Sequence, residues 1–153
     1  MMIKILAIGK LKETYWIDAI AEYQKRLNKW IPVHVIEIKE ETTSDINKNK
    51  EKEGLLILSS IESSDYVITL EINGLNIGSE KLAHLFEERI TYGNSNIVIV
   101  IGGSDGLSNE VSMRSNYALS FGKQTFPHQM IRVMLFEQLY RAFSIIHHQK
   151  YHK

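Results

Sequence analysis

The 153-residue sequence predicts an α/β fold in which a mainly parallel sheet is flanked by helices. Short runs rich in isoleucine and valine alternate with longer stretches whose apolar residues recur at helical spacing. One run, Ile97 to Ile101, reads IVIVI and is apolar at every position, as a central parallel strand covered on both faces must be. The length fits one domain spanning residues 1–153, given about 100–200 residues per domain. Hydrophobic residues make up 44% and charged residues 24%, an average globular balance that excludes a disordered chain, a fibre or a collagen repeat.

Each element follows from local chemistry. Ile3 to Ile8 ends at Gly9 and is too short for a helix, so it reads as a buried strand. Thr14 is placed to cap a helix carrying Trp16, Ile20, Tyr23 and Leu27 on one stripe. Val33 to Ile38, after Pro32, is a second strand. Glu40 to Lys52, with NKNKEKE at its centre, reads as a solvated loop leading into a helix through Leu55 and Leu58. Tyr66 to Ile72 is a third strand, closed by Asn73-Gly74. Ser79 is placed to cap a helix with Leu82, Leu85, Phe86 and Ile90 on its apolar stripe. Tyr117 to Phe121 is a shorter strand, and a last helix runs from Pro127 to about Gln149, roughly 33 Å at 1.5 Å per residue. That helix carries two stripes: Ile131, Leu135, Leu139, Ala142 and Ile146 on one, Val133, Phe136, Tyr140 and Phe143 on the other. A helix so widely apolar needs cover on two sides, and a second copy of the chain, hence a homodimer, is the expected source.

Cysteine is absent, which excludes a disulfide framework, a thiolate zinc site and a cysteine nucleophile and points to a reducing, cytoplasmic setting. No apolar stretch approaches the roughly 18 residues of a membrane span, and the start MMIKILAIGKLKETYW turns charged too early for a signal peptide. The protein is therefore expected to be soluble, without a membrane partner. Lysine plus arginine balance aspartate plus glutamate at 18 each, but unevenly. From Met113 onward there are six cations against one acid, Glu137, together with four of the six histidines; residues 1–112 hold the other 12 cations and 17 acids. The C-terminal segment can face phosphate while the remainder keeps the net charge near zero.

In open α/β sheets ligands bind beyond the carboxyl ends of strands, which directs attention to Gly102-Gly103-Ser104-Asp105-Gly106. Glycines there let a ligand approach the backbone closely, although such a cluster is equally a tight turn. No Gly-Lys-Ser/Thr follows, so it is not a Walker loop, and it lacks the G-x-G-x-x-G spacing of dinucleotide sites. It does match G-x-S-x-G with Ser104 as nucleophile. The required partners fail: His128 and Glu137 lie nine residues apart on one helix, about 900° of turn and roughly 13 Å, which excludes a relay. His147, His148 and His152 offer no convergent metal set, and no metal is expected. Phe126-Pro127-His128 also reads as a helix entry, and Arg141 has a structural partner in Glu137 at i,i+4.

Taken in order, Ile5-Leu-Ala-Ile-Gly-Lys-Leu-Lys, Val67-Ile-Thr-Leu-Glu, Ile101-Gly-Gly-Ser-Asp-Gly-Leu, Tyr117-Ala-Leu-Ser-Phe, Thr125-Phe-Pro-His-Gln-Met-Ile-Arg-Val, Glu137-Gln-Leu-Tyr-Arg-Ala-Phe and the ending Tyr151-His-Lys closely resemble the RlmH family. The likeness runs over essentially the whole chain. It implies a small SPOUT-type enzyme with a C-terminal trefoil knot that methylates N3 of a pseudouridine in bacterial 23S ribosomal RNA in the assembled ribosome. It further implies S-adenosylmethionine as donor and a homodimer. Carried over residue by residue, the donor site comprises Leu70, Gly102 and Gly103 and the segment Phe121, Gly122, Lys123, Gln124, Thr125 and Phe126. His128, Arg132, Arg141, Tyr151 and His152 are the candidates for favouring the acceptor's imide anion or holding phosphate. The reading from a different class is a non-catalytic, ribosome-associated RNA-binding module that uses the same basic tail.

Overall fold

The computed structural model describes residues 1–93 and 96–153. In chain order the elements are β1 (Ile3–Ile8), α1 (Thr14–Leu27), β2 (Val33–Ile38), α2 (Ile46–Ser59), β3 (Tyr66–Leu75), α3 (Ser79–Tyr92), β4 (Ile97–Ile101), α4 (Asn109–Arg114), β5 (Tyr117–Leu119) and α5 (His128–Ile146). The strands form one sheet in the order β2-β1-β4-β3-β5, and every pair in it is parallel. The expected α/β architecture is present.

Strand alternation divides the apolar side chains between two layers. Ile3, Ile5, Ile68, Ile97 and Ile99 enter the core shared with α1, α3 and α5. Leu6, Ile8, Val67, Val98 and Val100 face the other way, toward Ile57 of α2 and Val111 of α4. All five residues of β4 are buried, which is why its sequence shows no polar alternation.

Several local expectations need correction. Most of the charged stretch after Glu40 is helical: α2 begins at Ile46, where Asp45 accepts a hydrogen bond from the Lys48 N–H at 3.1 Å. The buried residues of α2 are Asn49, Glu53, Gly54 and Ile57, so the inward face is mostly polar or small and leaves no hydrophobic period to detect. Thr14 and Ser79 begin their helices rather than cap them; Glu13 and Gly78 occupy the cap positions without side-chain cap bonds. The Ser79 hydroxyl instead donates to Gln138 Oε1 on α5 at 2.8 Å. Helix α4 is absent from the sequence reading, because six residues are too few to show a period. Its signal is Ser108, whose Oγ accepts from the Val111 N–H, followed by Glu110 in the first turn. α5 ends at Ile146 and spans about 28 Å.

Asn73-Gly74 does not end β3. Leu70 and Leu75 both pair with Leu119, so the strand bulges between them and then rejoins β5. A Cβ placed on Gly74 would sit 2.8 Å from the Ala118 carbonyl carbon and oxygen. Gly74→Ala should therefore lose about 1–3 kcal/mol of stability, read as a lower urea midpoint with an unchanged denaturant slope.

The cover expected from a second copy is supplied in good part by the same chain. α1 and α3 both pack on α5, and Phe136 and Phe143 of the second stripe are 0% and 2% exposed. What remains is an apolar groove of about 440 Å³ whose lining includes Tyr23, Ile77, Phe121, Met130, Val133 and Met134.

Candidate functional site

The carboxyl ends of β3 and β4 open into a cleft of about 820 Å³, a size that suits a nucleoside-sized ligand. Gly102 and Gly103 continue directly from β4. A Cβ on Gly102 would lie 3.0 Å from Leu107 Cδ2 and 3.2 Å from the Gly106 carbonyl carbon; one on Gly103 would lie 2.9 Å from Ile8 Cγ2. The turn closes when the Gly106 N–H donates to the Gly103 carbonyl at 3.1 Å, with Gly106 at φ +80°. On the facing wall the segment after β5 turns at Gly122, φ +116°, where the Ser120 hydroxyl accepts the Gly122 N–H at 3.0 Å. The cleft thus combines open backbone with the apolar side chains of Leu70, Leu107, Phe121, Phe126 and Ile131.

Leu70, Gly102, Gly103, Phe121, Gly122, Gln124, Thr125 and Phe126 all line this one cleft. Lys123 stands apart: its side chain is exposed and is not among the lining residues. His128, at the start of α5, lies on the cleft wall. The other four residues singled out for chemistry do not line it. Arg132 is only 3% exposed, paired through Nη1 with Glu37 at 2.5 Å and donating from Nη2 to the Gly9 carbonyl at 3.1 Å. It clamps α5 to the ends of β1 and β2. Arg141 lies 13 residues beyond His128, about 20 Å along α5.

Ser104, the residue matching a hydrolase elbow, donates from its hydroxyl to Glu40 Oε1 at 2.9 Å. Among the described residues no group of three or more histidine or acidic side chains converges to hold a metal ion. His147 stacks on Trp30 with ring centroids 5.0 Å apart. Near the tail, Glu80 Oε1 is 3.8 Å from His152 Nε2.

The family model described as "Predicted SPOUT methyltransferase" matches residues 1–152. The chain belongs to the SPOUT methyltransferase family. Its fold is also similar to that of a solved structure, a probable methylase family protein from Haemophilus influenzae Rd KW20, with a TM-score of 0.56 at 16% identity over 99% of this chain and 70% of that one. SPOUT methyltransferases generally take their methyl group from S-adenosylmethionine.

In this SPOUT chain Arg141, Tyr151 and His152 do come together, around Glu137. Arg141 Nε and the Tyr151 hydroxyl both donate to Glu137 Oε1, at 3.0 and 3.1 Å, and Arg141 Nη1 lies 3.3 Å from His152 Nδ1. The Arg141 guanidinium also lies over the Tyr151 ring, 4.8 Å from its centroid. Burial, with help from the neighbouring Tyr23 and Glu137, pushes the Tyr151 phenol up to about 12, so it remains a donor at neutral pH. The i,i+4 pair of Arg141 with Glu137 is present, and it forms part of this cluster.

The sequence reading missed the residues that bring charge to the SPOUT cleft: Lys50 from α2 and Glu71 from β3. Glu71 directly follows Leu70, which was the available signal. Behind the glycine turn, buried Glu53 accepts the Glu41 N–H at 2.9 Å. Desolvation raises its pKa, the Glu41 hydrogen bond opposes that, and Glu40, Asp105 and Glu41 raise it further. The folded protein consequently holds this proton more tightly than the unfolded chain does. Stability should rise as pH falls through the raised value and level off below the ordinary carboxyl range. Urea denaturation at pH 7 and pH 5 checks this; Glu53→Gln should remove that increment while leaving the protein at least as stable at pH 7.

Proposed function

We propose that this protein transfers a methyl group from S-adenosylmethionine to N3 of a pseudouridine in 23S ribosomal RNA, acting on the assembled ribosome in the bacterial cytoplasm as a homodimer. The observation that carries this reading is that eight of the nine donor-site residues named by the sequence resemblance line one cleft at the carboxyl edge of the sheet. The fit to an adenosine-bearing donor rests on the bare backbone at Gly102, where even a Cβ would crowd Leu107 and Gly106, and on the apolar walls of Leu70, Phe121 and Phe126.

When bound, S-adenosylmethionine supplies a sulfonium-activated methyl group. The protein's part is then alignment and proton management. Leu70, Gly102 and the 121–126 segment hold the donor. His128, on the same wall, is placed to take the imide proton or to favour the resulting anion by a hydrogen bond. Arg132 sets the position of His128, one helical turn away, by fixing α5 against Glu37 and Gly9.

The Arg141–Tyr151–His152 cluster is built around Glu137, nine residues beyond His128 and about 13 Å along α5, outside the cleft wall that His128 lines. The apolar groove joins the two regions, since Phe121 lines both cavities and Glu137 lines the groove while anchoring the cluster. A second copy seated on this groove can bring its own cluster to the first copy's cleft. The basic C-terminal segment supplies the charge for RNA, while the neutral overall balance suits a folded particle better than broad, charge-driven binding.

Titration calorimetry separates this reading from an RNA-binding module. S-adenosylmethionine and S-adenosylhomocysteine should both bind the folded protein with measurable heat. No binding of either would overturn the proposal and leave the non-catalytic module.

A further inference from the structure

We infer that Glu71 gives the cleft its preference for a positively charged sulfur over a neutral one, an inference that rests on the donor reading above. Glu71 lies on the cleft wall immediately after Leu70, the last residue of β3 paired with β4. Its carboxylate is fixed by two hydroxyls from different elements. Thr69, fully buried, donates to Oε2 at 2.6 Å, and Ser112 of α4 donates to Oε1 at 2.7 Å. The Thr69 hydroxyl spends its one proton on Glu71, so it accepts from Ser115, whose Oγ lies 2.8 Å away.

Lys50 is the cation on the same cleft wall, but it makes no ion pair with this carboxylate. Among the described residues no lysine, arginine or histidine nitrogen lies within ion-pair distance of Glu71. Asp105, the other acid on the wall, is turned toward the amide of Asn49 at 3.4 Å. A carboxylate held in one orientation by neutral donors, beside an apolar cavity, is preorganised for a ligand cation. The methyl donor and its demethylated product share the adenosine and the amino-acid group and differ by the methyl group and the positive charge it leaves on sulfur. A fixed negative charge on the wall is a means of telling them apart, and it favours exchange of spent product for fresh donor.

The test is titration calorimetry of the wild type, Glu71→Gln and Glu71→Asp with three ligands: S-adenosylmethionine, S-adenosylhomocysteine, and sinefungin, which carries an amine in place of the methyl sulfonium. Glu71→Gln should weaken S-adenosylmethionine and sinefungin by about five- to tenfold and leave S-adenosylhomocysteine within about twofold, while Glu71→Asp retains part of the discrimination. Retained binding of the product shows that the variant is folded. Equal loss for all three ligands, as a ribose-binding or purely structural carboxylate would give, overturns the inference, and so does an unchanged ratio between donor and product. If the wild type binds none of the three, the donor reading fails and this inference fails with it.

Discussion

Gly102→Val is expected to weaken S-adenosylmethionine binding at least a hundredfold, about 2.8 kcal/mol, in a protein that still unfolds cooperatively. The reason is local. The Cβ alone would stand 3.0 Å from Leu107 Cδ2 and 3.2 Å from the Gly106 carbonyl carbon, and the two γ-methyls must go either into the cleft or into the turn. Both routes take away the space that the end of β4 leaves open. The fold is expected to survive because the change lies past Ile101, the last residue of β4, and meets the partly buried Leu107 side chain and the Gly106 turn rather than a fully buried sheet residue. Calorimetry with donor and product, alongside a thermal melt, reads both halves of the expectation. Donor affinity within threefold of wild type would show that the ligand does not approach this backbone.

Deleting Tyr151 to Lys153 is expected to leave donor affinity within about twofold and to cut methyl transfer to ribosomes at least tenfold, about 1.4 kcal/mol of transition-state stabilisation. The tail is not a frayed end. Tyr151 packs edge-on against Tyr140 with centroids 4.7 Å apart, donates to Glu137 and lies under Arg141. Its removal withdraws an aromatic face and the His152 imidazole from the cluster around Glu137, midway along α5, while Gly102 and the 121–126 wall are untouched. Donor-binding isotherms and single-turnover transfer on the same preparations separate the two effects. Unchanged transfer would reduce the cluster to a structural lock and move the acceptor contacts toward His128.

The layered sheet was legible because burial on both faces leaves runs such as IVIVI with no polar alternation, and because α1, α3 and α5 each keep an apolar stripe. α2 was not, since it turns Asn49, Glu53 and Gly54 inward; a Cβ on Gly54 would come within 2.5 Å of the Ser108 hydroxyl. That inward face follows contact with the glycine-turn region rather than hydrophobic periodicity. α5 was legible only in part. Its two stripes pointed to a partner, yet Phe136 and Phe143 are satisfied by packing within the chain. Phe136→Glu therefore tests folding, whereas the groove residues Val133 and Met134 are the positions that test pairing.

In the cleft, glycines announced themselves by their clustering, and the resemblance carried the rest of the donor wall. Glu71 and Lys50 escaped notice because their relevance depends on where β3 overruns β4 and where α2 crosses the turn. Arg132 drew attention as a cation, and in the folded chain it is occupied by Glu37 and Gly9. A one-dimensional reading sees charge but not whether that charge is already paired.

Mass spectrometry of 23S ribosomal RNA nucleosides from cells with and without this protein reads the proposed methyl transfer at its acceptor. One pseudouridine should carry a methyl group at N3 only when the protein is present, and adding purified protein with S-adenosylmethionine to ribosomes lacking that methyl should restore the mass shift. Identical modification profiles in the two RNAs, with no methyl acquired on incubation, would contradict it.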